Sequence, residues 1–301
     1  MMDYGKIINR SFEIAWKYKS LWIFGVFAGS GYSNFYINTG KKMNMDPYFP
    51  SDLQNFHFPT ELLGMFVLAI LGMAVIFMVL NILARGAIID STNKIQRGGL
   101  YRFSDAFSTG LDYFLRLFIL LIIAVLSFLA LVFVLVIIGI VAFAIHVALG
   151  VLSLLALIPA FLFGVFFFAS VFNVAERVVV VRNTSITSAL EEAYILFKRH
   201  IGKMALMFLI SIAFAIALAI GLAMVWAIFG MPFAAIGLMA DMSPLAALLI
   251  GILAGLPITI VLGGLVGVFY ENLYTLFYFE LVEPGAVAPE AVAPSQPQPL
   301  T

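Results

Sequence analysis

The chain has no cysteine, only three histidines, and 11% charged residues over 301 positions. The missing cysteines exclude disulfides, thiolate metal sites and cysteine nucleophiles. The scarcity of charge excludes more. A soluble domain carries about 25% Asp, Glu, Lys and Arg, so this chain lacks the charge to coat a water-facing surface. With 63% hydrophobic residues it is equally unlike a disordered chain. An excess of one sign is missing too, since 16 Lys+Arg balance 16 Asp+Glu. Nothing in that balance favours phosphate binding, so nucleic acid is not an expected partner. A P-loop, a Rossmann glycine fingerprint, a His-Glu-x-x-His zinc motif and a Gly-x-Ser-x-Gly elbow are all absent. The run 21–28 follows a charged segment and lacks a small-residue cleavage pattern, so no cleavable signal peptide is expected.

What is present is apolar length. Mean hydropathy is +1.11, the value of an integral membrane protein. Lys19 to Lys41 encloses 21 uncharged residues, Glu61 to Arg85 encloses 23, and Arg116 to Glu176 encloses 59. Lys203 to Asp241 encloses 37 and Asp241 to Glu271 encloses 29. One span needs ~20 apolar residues, so the longest run must be a two-helix hairpin. Its turn is expected near Gly150. Six transmembrane helices follow, at about 21–36, 62–92, 112–148, 151–181, 200–230 and 244–281. Fourteen Lys and Arg fall on the side that holds both termini, and only Lys41 and Lys42 on the other. That asymmetry predicts a plasma-membrane protein with both termini cytoplasmic.

Three spans are preceded by an amphipathic stretch. In the first, Ile8, Phe12 and Ala15 oppose Lys6, Arg10, Glu13 and Lys17. In the second, Phe103, Phe107, Leu111 and Phe114 oppose Asp105, Ser108, Asp112 and Arg116. In the third, Ile186, Leu190, Ala193, Phe197 and Ile201 oppose Glu191, Glu192, Lys198 and Arg199. The spacing predicts interfacial elbow helices that bend into the membrane. Arg10, Lys17, Arg116, Lys198 and Arg199 are the expected lipid-interface residues. Ordinary anchoring of helix ends is the simpler reading of the same pattern.

Elbow, odd span and even span occur three times, at about 4–99, 100–183 and 184–283, a threefold internal repeat. Each even span carries an asparagine: Asn81, Asn173 and Asn272. Arg85 and Arg177 follow the first two by one helical turn. Glu176 and Glu271 lie beside them. These seven residues form the candidate polar cluster. In one reading they line a cavity; in the simpler one each asparagine bonds a neighbouring helix.

The fourth span ends Ala175-Glu-Arg-Val-Val-Val-Val-Arg-Asn-Thr-Ser and continues to Glu191-Glu-Ala-Tyr194 and Lys198-Arg-His-Ile-Gly202. With Ala84-Arg-Gly-Ala-Ile-Ile-Asp90 and Gly98-Gly99, this resembles prokaryotic six-helix membrane proteins. They include the YciC-like proteins and the membrane domain of some glycerophosphodiester phosphodiesterases. The resemblance covers about 10–283 and implies the six-helix architecture. It carries over no catalytic residue, because the phosphodiesterase barrel is absent.

The expected fold class is all-α: a polytopic membrane domain over 1–283 and a Pro/Ala-rich disordered cytoplasmic tail over 284–301. Gly25–Gly29, Gly251–Gly255 and Gly263–Gly267 are small-xxx-small pairs that let helices approach closely. His57, His146 and His200 are too scattered to form one metal site. The expected function is a non-enzymatic scaffold or accessory subunit without cofactor, binding membrane lipids and a membrane protein partner or a second copy. The alternative is a transporter or channel for a small or lipid-like solute.

Overall fold

The computed structural model describes residues 2–29, 60–240, 242 and 244–287. Among the described residues there is no strand, only helices and short connections. Five helical stretches are long and apolar enough to cross a membrane, so the chain is a multi-pass helical membrane protein. Helix α1 spans Tyr4–Lys17 and α2 Leu21–Gly29. The five long stretches are α3 (Thr60–Gln96), α4 (Phe103–Ile145), α5 (Val147–Arg182), α6 (Ile186–Val225) with its extension, and α8 (Pro244–Val282). The extension of α6 is a π segment, Trp226–Gly230, leading into α7 (Met231–Met239). Helix α2 is the described part of the first expected span; the rest of that span and the loop 37–60 lie outside the described residues.

The helix ends follow ordinary capping chemistry. The Asp3 side chain accepts the Lys6 N–H at 3.1 Å and starts α1. Gly98, at φ 72°, ends α3 in the left-handed region that glycine tolerates. The hairpin turns at His146, four residues before the expected Gly150. His146 adopts extended backbone, and its Nδ1 accepts the Ala148 N–H at 3.1 Å. Asn183, at φ 51°, closes α5, and Ser185 caps α6 by accepting from Ser188 at 3.3 Å.

The three segments expected to be elbows differ from one another. Helix α1 is a separate helix, joined to α2 by a short turn in which the Leu21 N–H donates to the Tyr18 carbonyl. Helix α4 runs unbroken through Asp112 and Arg116, so the second expected elbow is the first part of one 43-residue helix. In α6 the helical dihedrals fail at His200 (φ −128°, ψ 31°), which kinks the third. The residues buried against protein are only partly those of the apolar stripes. In α1 the buried residues are Ile7, Ser11, Ile14 and Ala15, while Phe12 stays half exposed and stacks on Trp16 at 5.9 Å. In α4 they are Ala106 and Gly110, while Phe107 and Leu111 are exposed and Phe103 stacks on Phe24 at 4.7 Å. In α6, Ala193 and Phe197 are buried as expected, but Ile201 is exposed. At a bilayer interface large side chains have lipid to face, and small ones allow the close helix approach.

Helices α3, α5 and α8 touch one another in the middle of the bundle. Around them, α2 packs on α3 and α8, α4 on α3 and α5, and α6 on α5 and α8. The buried core gathers where the C-terminal halves of the three central helices meet, at Ile82–Ile89, Val174–Val180 and Val268–Leu281. Toward their N-terminal ends the same helices expose Leu68, Leu155 and Leu253. The glycine pairs act inside the monomer: a Cβ on Gly25 would overlap the Gly264 carbonyl, and Gly29 lies against Gly267. Residues 284–287, within the expected tail, include a contact with the bundle. Gln96 Nε2 donates to the Ala286 carbonyl at 2.8 Å and Val287 is buried. Residues 288–301 of the expected tail lie outside the described residues.

Candidate functional site

The central core holds four formal charges on three helices. Arg85 comes from α3, Glu176 and Arg177 from α5, and Glu271 from α8. They alternate in a closed ring. Arg85 donates through Nε to Glu271 Oε1 at 2.9 Å and through Nη1 to Glu176 Oε1 at 2.8 Å. Arg177 donates through Nη1 to Glu176 Oε2 at 3.0 Å and through Nη2 to Glu271 Oε2. Each carboxylate thus binds one guanidinium on each oxygen. The Arg177 and Glu271 side chains are 1% and 0% exposed, against 20% and 15% for Arg85 and Glu176. A lone charge at that depth would be prohibitive; two of each sign in contact make the ring neutral. Only Arg meets the geometry, because its planar fork reaches two carboxylates at once.

Of the seven expected residues, Arg85, Asn173, Glu176, Arg177 and Glu271 bond one another, while Asn81 and Asn272 bond elsewhere. Asn81 donates to the Phe27 and Ala28 carbonyls at 2.7 and 3.1 Å, fastening α3 to the last turn of α2. Asn173 donates to the Ala169 carbonyl of its own helix at 2.6 Å, and its Oδ1 accepts from Arg177 at 3.1 Å. Asn272 is fully buried; its Oδ1 accepts from Thr92 at 2.6 Å and its Nδ2 donates to the Ser11 carbonyl at 3.3 Å. None of the three bonds another. The charges meet at the centre instead; Asn81 and Asn272 tie neighbouring helices together, and Asn173 braces Arg177 within α5.

Sequence reasoning missed the shell on α6 and α8. The Tyr274 ring lies under the Arg177 guanidinium, 5.4 Å from it, and its hydroxyl meets Ser211 Oγ at 2.7 Å. Tyr270 donates to the Ser211 carbonyl at 2.9 Å. Tyr270 and Tyr274, one turn apart beside Glu271, were a legible signal; Ser211 and Thr92 were not.

The ring leaves little room. The adjacent cavity, lined by Asn81, Ile82, Arg85, Leu117, Leu121 and Glu176, holds about 20 Å³, enough for about one water. Among the described residues no three His, Asp or Glu side chains converge as metal ligands. His146 caps a helix and His200 sits at a kink.

The expected lipid-interface residues sit on the outside. Lys17, Lys198 and Arg199 are exposed, with Lys17 over the Tyr18 ring at 6.0 Å and Lys198 over Tyr194 at 5.3 Å. Arg10 is half-buried and pairs with Glu13 at 2.7 Å. Arg116 donates to Asn183 Oδ1 at 2.6 Å. Compared with protein-family models, curated proteins and solved structures, the chain matches none.

Proposed function

We propose that the chain is a non-enzymatic membrane scaffold or accessory subunit, resident in the plasma membrane with both termini cytoplasmic, that binds lipids and a membrane protein partner. The observation that carries this reading is the ring. Its four charges are spent on one another, Asn81 and Asn272 on neighbouring helices, and Asn173 on its own helix and Arg177. A solute pathway needs polar groups that exchange partners with a passenger. Here those groups are engaged, and the cavity beside them is about the size of one water. Exposed Lys17, Lys198 and Arg199 on the face next to the helix ends favour contact with anionic headgroups.

A six-span architecture with a threefold repeat fits the same picture. The three central helices are the expected even spans, and each touches the other two. The resemblance to YciC-like proteins and to phosphodiesterase membrane domains would give the chain its relatives. The test is capture of the tagged protein from native membranes in lipid discs, followed by mass spectrometry. A stoichiometric membrane protein partner is expected. Saturable solute uptake by the purified chain in vesicles, lost on Asn81→Leu, Asn173→Leu and Asn272→Leu together, would replace the scaffold with the transporter.

A further inference from the structure

A second polar site lies apart from the ring, at the end of the hairpin where the apolar run begins. Asp90 and Lys94 come from the last turns of α3, Thr109, Asp112, Tyr113 and Arg116 from α4, and Asn183 from the end of α5. Asp90, Thr109, Asp112, Tyr113, Arg116 and Asn183 line an open cleft of about 310 Å³. Its depth in the membrane follows from the chain: Leu117, the next residue after Arg116, starts the 59-residue uncharged run. The cleft is therefore at headgroup level, between the hydrocarbon and water.

The charges in it are mixed and only partly used. Asp90 is 8% exposed, and its Oδ2 lies 2.6 Å from Lys94 Nζ. No described residue bonds the other oxygen, Oδ1. Asp112 is exposed and has no ion pair or hydrogen bond among the described residues. Arg116 spends one N–H on Asn183 at 2.6 Å and lies over the Tyr113 ring at 5.8 Å, which fixes the guanidinium at the cleft wall with donors to spare. Asn183 is itself held in place by its left-handed cap at φ 51°. So α4 offers a fixed cation at Arg116 and, one turn away, a carboxylate at Asp112, while Asp90 of α3 offers a second carboxylate.

That pattern selects a ligand with both signs. A bare phosphate would meet Arg116 but also two repelling carboxylates. A bare amine would meet the carboxylates but also Arg116. A choline headgroup has the right charges but no N–H to give to Asp90 or Asp112. A phosphoethanolamine group has a phosphate for Arg116 and an ammonium with three N–H donors for the carboxylates. We propose that the cleft formed by Asp90, Asp112, Arg116 and Asn183 binds the phosphoethanolamine headgroup of a membrane phospholipid. Its acyl chains would lie along the outward face of α4, where Leu115 and Ile119 are exposed just beyond Arg116. The inference rests on the lipid-binding part of the function proposed above and names the lipid class.

Full-length protein in nanodiscs of phosphatidylethanolamine, phosphatidylglycerol and phosphatidylcholine in equal parts provides the test. Lipids that remain bound on release are counted by native mass spectrometry. The ethanolamine lipid should be enriched about tenfold over the choline lipid, the ratio one charge-assisted hydrogen bond supplies. Asp112→Asn should remove that enrichment, and Arg116→Gln should weaken retention of both zwitterionic lipids. Both side chains are exposed, so unchanged thermal unfolding is expected in both variants. No enrichment in the natural sequence, or enrichment that survives both substitutions, overturns the proposal. Soluble phosphoethanolamine should compete only at far higher concentration; competition at equal concentration overturns the membrane source. Failure of the scaffold reading appears separately, as solute uptake, and leaves the lipid count unchanged.

Discussion

Arg177 of α5 and Glu271 of α8, 94 residues apart in sequence, form an ion pair in which neither side chain is more than 1% exposed. It is the most shielded edge of the ring. Glu271 also takes Arg85, and Arg177 also takes Glu176 and Asn173. Removing either partner therefore leaves the other charged, desolvated and underbonded.

Glu271→Leu should lower stability by about 3–5 kcal/mol, the cost of stranding a buried charge. Replacing Arg85, Glu176, Arg177 and Glu271 together by Met or Leu should cost less than Glu271→Leu alone, because no orphan remains. Thermal unfolding of the purified protein in one detergent compares the two. Equal or greater loss in the quadruple variant would mean that the ring stabilises beyond mutual neutralisation.

The α2–α8 contact gives a second prediction. A side chain on Gly25 must displace backbone of Gly264, so Gly25→Val should destabilise by at least about 1–3 kcal/mol. Gly221 meets nothing within 4 Å. Gly221→Ala should be neutral or stabilise by up to about 1 kcal/mol through helix propensity. The same unfolding assay reads both.

Asn272 joins α1, α3 and α8 from a fully buried position. Asn272→Leu should cost about 1–3 kcal/mol, the loss expected when buried groups lose their partner. Hydrogen exchange should show the loss first in α1, whose hold on α8 includes that bond. Uniform change across the bundle would count against this placement.

Gln96 holds the residues that follow α8 through the Ala286 carbonyl. Gln96→Ala should leave global unfolding nearly unchanged but speed proteolytic cleavage near Gly285–Val287. Cleavage at the same rate as the natural sequence would show that Val287 burial alone keeps the segment docked.

Much of this was legible before any coordinates. Lys and Arg at the ends of apolar runs gave the helical membrane class, and Asn, Arg and Glu recurring in the even spans pointed to the central cluster. What could not be read was partnership. Periodicity marks a side chain as apolar, but an apolar side chain can be satisfied on the outside, as at Phe12 and Phe107, as well as inside the protein. The packed faces include Ser11, Ala106 and Gly110, whose small size leaves only a weak trace in hydropathy. Likewise, Asn81, Asn173 and Asn272 share a sequence position but not a partner, because α2, Arg177 and Thr92 differ at the three places they reach.

The length of α4 has a consequence for the surrounding bilayer. From Leu117 to its end at Ile145 the helix is uncharged and mostly exposed. At 1.5 Å per residue that stretch is about 43 Å long, against a hydrocarbon layer of about 30 Å. Either the hairpin leans by about 45°, or the lipids beside it stretch to cover it. Thick, ordered bilayers relieve that mismatch and thin ones sharpen it. A helix of this length should therefore lean less in a thick bilayer than in a thin one.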